Sequence, residues 1–208
     1  MEKSMNKVLK MIMVTLAVLV IAAIVFVTVF VLAKQKVIFI NKWFVDEKNS
    51  TVGVDVSAYQ ADIDMNVLKE QNVSFIYIKA TEGSTGRDGR FAANWENAKN
   101  AGLLSGAYHF FSYESSGKTQ AENFINTVGT DLKGRLLPTV DVEYYGDKEQ
   151  DPPQKEDVVR ELKLYPETLE EAYGVKLLIY TRVDIYEKYL KGEFDGYKKR
   201  ISGLCTYS

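Results

Sequence analysis

Leu136-Leu137-Pro138-Thr139-Val140-Asp141-Val142-Glu143 is a short apolar run that ends in two acids. It reads as a buried strand. Side chains alternate along a strand, so Asp141 and Glu143 share one face while Val140 and Val142 point to the other. Their Cα atoms then lie roughly 7 Å apart. An apolar strand does not hold two ionised groups on an inner face without compensation. A water-accessible cleft at the strand end supplies it, because two close carboxylates divide into a neutral acid and an ionised partner. Such a pair suits proton donation to a glycosidic oxygen. Taken alone, an Asp-x-Glu is more often two exposed acids where a strand enters a loop. Its meaning depends on what the rest of the chain brings to the same place.

The chain has 208 residues, room for one domain of moderate size and an extra segment. Apolar residues make up 46% and charged residues 26%, which is the balance of a globular protein rather than a disordered one. The formal charge is -2 and no basic stripe carries interleaved aromatics, so nucleic acid is not an expected partner. Cys205 is the single cysteine, which rules out an intrachain disulfide and is compatible with an extracellular fold whose core needs no staples. With His109 the single histidine, neither a Cys/His metal cluster nor a Ser-His-Asp set with a choice of base is available. No metal and no cofactor is expected.

Met11 to Ala33 is an uncharged run of apolar residues and threonine between Lys10 and Lys34. At about 1.5 Å per residue it is long enough to span a bilayer core of roughly 30 Å. Val31 and Ala33 fit the small residues before a signal-peptidase cut, but the run is long for a secretory segment. The preferred reading is an uncleaved signal anchor over 11–33. Lys3, Lys7 and Lys10 precede the span, which leans towards a cytoplasmic tail at 1–10 and an extracellular remainder. Residues 34–50 read as a juxtamembrane stalk. Its apolar Val37-Ile38-Phe39-Ile40 and Trp43-Phe44-Val45 sit either at the lipid interface or against the domain.

From Thr51 onward strand-like and helix-like signals alternate. Strands are expected at Val52–Val56, Val73–Lys79, Leu104–Phe110, Arg135–Val142 and Val175–Thr181. Between them come helices at Asp64–Gln71, Phe91–Ala101, Gly117–Val128 and Gln154–Tyr173, and a further one starting at Val183. Gly102 and Gly174 stand where helices stop. No Asn-Gly hairpin signal interrupts the series. Repeats of this length mean parallel strands with crossover helices.

In such architectures the working groups gather at the carboxyl ends of the strands. Those ends carry, in order, Asp55 with Tyr59, then Glu82, then Tyr108 and His109, then Asp141 and Glu143, then Tyr180 and Arg182. Acids and aromatics therefore collect at one rim. Sugar rings stack on aromatic faces, and carboxylates bond hydroxyls or donate protons. His109 reads as a hydrogen-bonded structural residue at the mouth. Thr81-Glu82-Gly83-Ser84-Thr85-Gly86 lacks the Gly-Lys-Ser/Thr ending of a phosphate loop, and that reading is rejected.

Four stretches then fall in a telling order. They are Gly53-Val54-Asp55-Val56-Ser57-x-Tyr59-Gln60, Tyr77-Ile78-Lys79-Ala80-Thr81-Glu82-Gly83, Gly106-Ala107-Tyr108-His109-Phe110, and Leu137-Pro138-Thr139-Val140-Asp141-Val142-Glu143. Together they resemble the motifs of glycoside hydrolase family 25, the lysozyme or N-acetylmuramidase family, over about Val52 to Ser202. The resemblance implies an α/β fold, an irregular TIM-like βα barrel. It also implies cleavage of the β-1,4 bond between N-acetylmuramic acid and N-acetylglucosamine in peptidoglycan glycan strands. By that resemblance Glu143 is the general acid, Asp141 orients or stabilises the reacting centre, and Asp55 completes the acidic cluster. Glu82, Tyr59, Tyr108 and Tyr180 become sugar contacts.

The resemblance also implies strands and an aromatic segment beyond the sixth strand, which Ile201-Ser202 would begin. The barrel over 51–208 is accordingly expected to be incomplete at its C-terminus, with exposed sheet edges and weak or absent hydrolysis. The expected protein is a single-pass membrane protein with an extracellular hydrolase domain. The rivals are a catalytically weak or dead hydrolase that serves as a membrane-anchored peptidoglycan-binding module, and a structural component of a cell-wall complex.

Overall fold

A computed structural model describes residues 2–34 and 51–202. The chain divides into two units, Met1–Ser50 and Thr51–Ser208. In the first, a single helix α1 runs over Glu2–Lys34. Its stretch Met11–Thr28 has a mean hydropathy of 2.9 and no buried share. The hydroxyls of Thr15 and Thr28 are spent on the helix's own carbonyls, donating to Met11 O and Ile24 O at 2.9 and 2.8 Å. The side-chain polarity of these threonines is thereby consumed locally. Residues 35–50 of the expected stalk lie outside the described residues, as does Cys205.

The second unit is built on a sheet whose parallel strands follow the order β1 (Val52–Val56), β2 (Val73–Glu82), β4 (Leu104–Phe110), β5 (Thr139–Val142), β6 (Leu178–Arg182), β7 (Lys198–Ser202). A two-residue strand β3 (Gly86–Arg87) folds back antiparallel on the end of β2. The crossovers carry α2 (Met65–Glu70), α3 (Phe91–Asn100), α4 (Gly117–Val128), α5 (Lys155–Tyr173) and, before β7, the single turn α6 (Val183–Ile185), which widens into a π-type turn over Tyr186–Leu190. Local chemistry sets the ends. The Asp64 carboxylate accepts from the N–H groups of Asn66 and Val67 and starts α2. Gly174 at φ +67° stops α5.

Alternation sorts the strand residues into two environments. Ile76, Ile78, Ala107, Val140, Val142 and Ile179 are fully or almost fully buried. They form one core with Ala121 and Phe124 of α4 and with Leu162, Tyr165 and Leu169 of α5. The opposite face carries Tyr77, Tyr108, Asp141 and Tyr180, all only partly buried. That second face is concave. In a flat sheet five spacings would separate β1 from β7 by about 24 Å, yet Asp55 of β1 and Arg200 of β7 line a single cleft. The sheet is therefore curled, and among the described residues β1 and β7 each pair on one side only.

Several boundaries differ from expectation. β5 starts at Thr139, not Arg135, because Pro138 has no N–H for the ladder; its carbonyl still accepts from Leu178 N–H at 2.9 Å. β6 starts at Leu178, not Val175. β7 begins at Lys198, three residues before the expected Ile201. β2 continues three residues past Lys79 and forms a small hairpin with β3, which no Asn-Gly signal announced.

Candidate active site

The concave face carries the chemistry. Asp55 projects from β1, Asp141 from β5, and Glu143 stands one residue beyond the end of β5. All three line one cleft with Tyr108 and Tyr180, over a floor of Tyr77, Thr139 and Leu178, with Arg200 on β7. The cleft encloses about 120 Å³. Two glycines admit aromatic rings of β2, of which Tyr77 is in the floor. A Cβ on Gly53 would lie 2.0 Å from the Phe75 ring, and one on Gly106 2.5 Å from the Tyr77 ring. Both aromatic rings of β2 therefore lie across the backbones of the neighbouring strands, which bare glycine permits.

Asp141 is the most perturbed carboxyl group. Its Oδ1 is buried and has no hydrogen-bond partner among the described residues. Burial first, then the charges of Glu143 and Asp55, push its pKa up to about 8, against a smaller opposing pull from Lys79. Glu143 is also raised, by burial, with the Arg182 guanidinium partly offsetting it. The Tyr108 hydroxyl is pushed far up by burial and by the Asp141 and Asp55 charges, so it stays a neutral donor. Burial and the closeness of like charges thus favour a retained proton in this cluster.

The chain leaving β5 is fixed near Glu143. Arg182 Nη2 holds Glu149 at 2.8 Å and Asp184 at 3.0 Å. The Tyr189 hydroxyl donates to Pro153 O at 2.8 Å, and Tyr145 Oη meets Ser112 Oγ and the Tyr113 N–H, each at 3.0 Å.

Glu82 and Tyr59 do not line the carboxylate cleft. They line a separate groove with Phe110, Tyr145 and the Gly83–Gly89 turn. Lys79 captures Glu82 at 2.7 Å and stands over the Phe110 ring at 4.9 Å from its centre. Tyr59 is 91% exposed on a short turn, Ala58–Gln60. Asp88 Oδ2 accepts from the Ala58 N–H at 2.8 Å and holds that turn.

His109 faces the helices, away from the cleft. Gln120 gives its amide N–H groups to Ser112 O and Ser115 O, so its Oε1 must accept. His109 therefore donates from Nε2 to Gln120 at 2.9 Å and accepts at Nδ1 from the Thr81 hydroxyl at 2.7 Å. Burial lowers its pKa to about 4. Among the described residues no group of three or more His, Cys, Asp or Glu is arranged to hold a metal ion.

Tyr77, Thr139 and Arg200 line the cleft without having been singled out from the sequence. Tyr77 and Thr139 stand two residues before Lys79 and Asp141, so strand parity could have found them. Arg200 carries no motif; only its pairing opposite Tyr180 brings it in.

A curled parallel sheet with carboxylates on its concave face, at the carboxyl ends of its strands, is an arrangement that glycoside hydrolases use. Comparison with known proteins makes this specific. Residues 54–199 match the model of glycosyl hydrolases family 25, and the chain belongs to that family. Lysozyme M1 of Streptomyces globisporus is 47% identical over 95 residues, 44% of this chain and 32% of that protein. The uncharacterized protein YegX of Escherichia coli K12 is 33% identical over 150 residues, 70% of this chain and 53% of that protein. The solved family 25 glycosyl hydrolase of Bacillus anthracis superposes with a TM-score of 0.75 at 42% identity, covering 79% of this chain and 75% of that one. The chain thus spans about a third to a half of the length of these curated relatives.

Proposed function

We propose that this chain is a muramidase that hydrolyses the β-1,4 bond between N-acetylmuramic acid and N-acetylglucosamine in peptidoglycan. The observation that carries the reading is the meeting of Asp55, Asp141 and Glu143 in one cleft, with Asp141 and Glu143 both held towards the protonated form. Family membership and the likeness to Lysozyme M1 support it. In this reading the sheet is the wall of an irregular TIM-like barrel, and Tyr108 and Tyr180 contact the sugar.

Glu143 is the general acid. It sits past the end of β5, where a glycosidic oxygen can reach it, and its raised pKa keeps a proton available. As the bond from C1 to that oxygen breaks, the proton moves from Glu143 to the leaving oxygen; water then supplies the new hydroxyl at C1, and its remaining proton restores Glu143. Asp141 lies deeper. Its unpartnered Oδ1 is an acceptor for an acetamido N–H on the sugar, which would orient that group at the reacting carbon. Asp55 adds negative charge to the same cleft and favours the positive charge that develops there. Glu82 and Tyr59 extend sugar contact into the neighbouring groove.

The test is clearing of purified cell walls with analysis of the released muropeptides. Glu143→Gln is expected to lower the rate by roughly 10²–10⁴-fold. Retention of walls by the unaltered chain with no muropeptide release would instead identify a glycan-binding module.

A further inference from the structure

Among the described residues lining the carboxylate cleft, Arg200 alone is a cation. Arg90, Arg160 and Arg182 each hold a carboxylate oxygen, at 2.5, 2.7 and 2.8 Å. Among the described residues no acid lies within salt-bridge distance of Arg200. Its position is nevertheless defined. It pairs in register with Tyr180, and its guanidinium carbon lies 5.7 Å from the centre of the Tyr180 ring. A cation at that distance is drawn to the ring face, which leaves the N–H fork unspent. Such a fork matches a planar carboxylate, with which it forms two parallel hydrogen bonds.

The acids of the cleft repel anions, so a negatively charged substrate can be accommodated only where a cation offsets them. N-acetylmuramic acid differs from N-acetylglucosamine by a lactyl ether that ends in a carboxyl group. We infer that Arg200 is a specificity residue that receives a carboxylate borne by the bound glycan, on the lactyl group itself or on a peptide attached to it. The inference rests on the muramidase reading of the cleft.

The experiment is calorimetric titration of the full chain in detergent, as wild type, Arg200→Gln and Arg200→Lys. The ligands are N-acetylmuramic acid, N-acetylglucosamine and N-acetylmuramyl-L-alanyl-D-isoglutamine. The wild type is expected to prefer N-acetylmuramic acid, the muramyl dipeptide or both to N-acetylglucosamine about tenfold or more. Added salt should shrink that ratio, Arg200→Gln should bring it to near one, and Arg200→Lys should retain part of it. N-acetylglucosamine should bind all three forms alike. An Arg200-dependent preference shown by N-acetylmuramic acid alone assigns the lactyl carboxylate; one shown by the muramyl dipeptide alone, whose lactyl carboxyl is an amide, assigns the peptide's; one shown by both means the fork takes either. Ratios to N-acetylglucosamine unchanged by Arg200→Gln for both acidic ligands overturn the inference, as does a wild type that binds neither of them. Muropeptide release measured in parallel separates the two readings. Release with an unchanged ratio sinks the role of Arg200 alone; an Arg200-dependent ratio without release sinks the hydrolytic reading alone.

Discussion

Asp141 and His109 sit on opposite faces of the same sheet, and burial drives them to opposite consequences for stability. Asp141 is held at a pKa of about 8, above its unfolded value of about 3.9. Its contribution to stability is complete below pH 4 and is lost as pH rises through 8. His109 is held at about 4, below its unfolded value of about 6.5. Its contribution is complete above pH 6.5 and is lost as pH falls through 4. Between those limits the two slopes oppose each other, so the clean window is pH 6.5 to 8, where Asp141 acts without His109. Stability of the 51–208 unit should fall there by roughly 1–2 kcal/mol, a few degrees in Tm. Asp141→Asn should raise Tm at pH 8, flatten that slope and depress muropeptide release together. Thermal unfolding at the two pH values checks this, and a slope equal to wild type would refute the buried neutral acid.

At the scale of elements, β2 shows where strand parity misleads. The strict period of two would set Lys79 and Glu82 on opposite faces. The ladder between β2 and β4 skips Ala80: Lys79 pairs with Tyr108 and Thr81 with His109. This bulge puts Ala80 and Thr81 consecutively on the buried side and returns Glu82 to the side of Lys79, which captures it. A bulge arises from pairing between strands and leaves no mark in the stretch Ile78-Lys79-Ala80-Thr81. By contrast the Asp64 cap and the Gly174 stop were legible, because both are local hydrogen-bonding and dihedral effects. The fit of β2 on β4 gives the prediction at this scale. Gly106→Ala places a methyl against the Tyr77 ring and 2.9 Å from Leu136 Cβ. It should cost about 1–3 kcal/mol and displace Tyr77 from the cleft floor, lowering both Tm and wall-clearing rate. An unchanged Tm would show that the ring has room to move.

At the scale of the whole molecule the two units invite separate roles. We propose that α1 is a signal anchor: 1–10 cytoplasmic, 11–33 in the bilayer, 34–50 a stalk, and 51–208 the extracellular hydrolase unit. Its exposed apolar surface and its internally spent threonine hydroxyls support this. The chain should stay with membranes through alkaline carbonate washing, and protease added outside intact protoplasts should remove the 51–208 unit while sparing 1–10. Release into the wash would point to a cleaved signal peptide instead.

The sequence by itself determined the alternation of strands and helices, the common face of Asp141 and Glu143, and the family likeness of four ordered motifs. These follow from side-chain periodicity and short-range chemistry, which act within a few residues. Only the tertiary structure decided that the sheet curls far enough to bring Asp55 and Arg200 to one cleft, and that Glu82 and Tyr59 line a different groove. Curl and register are collective: they come from twist summed over six strands and from helices packed against one face, which no single stretch encodes.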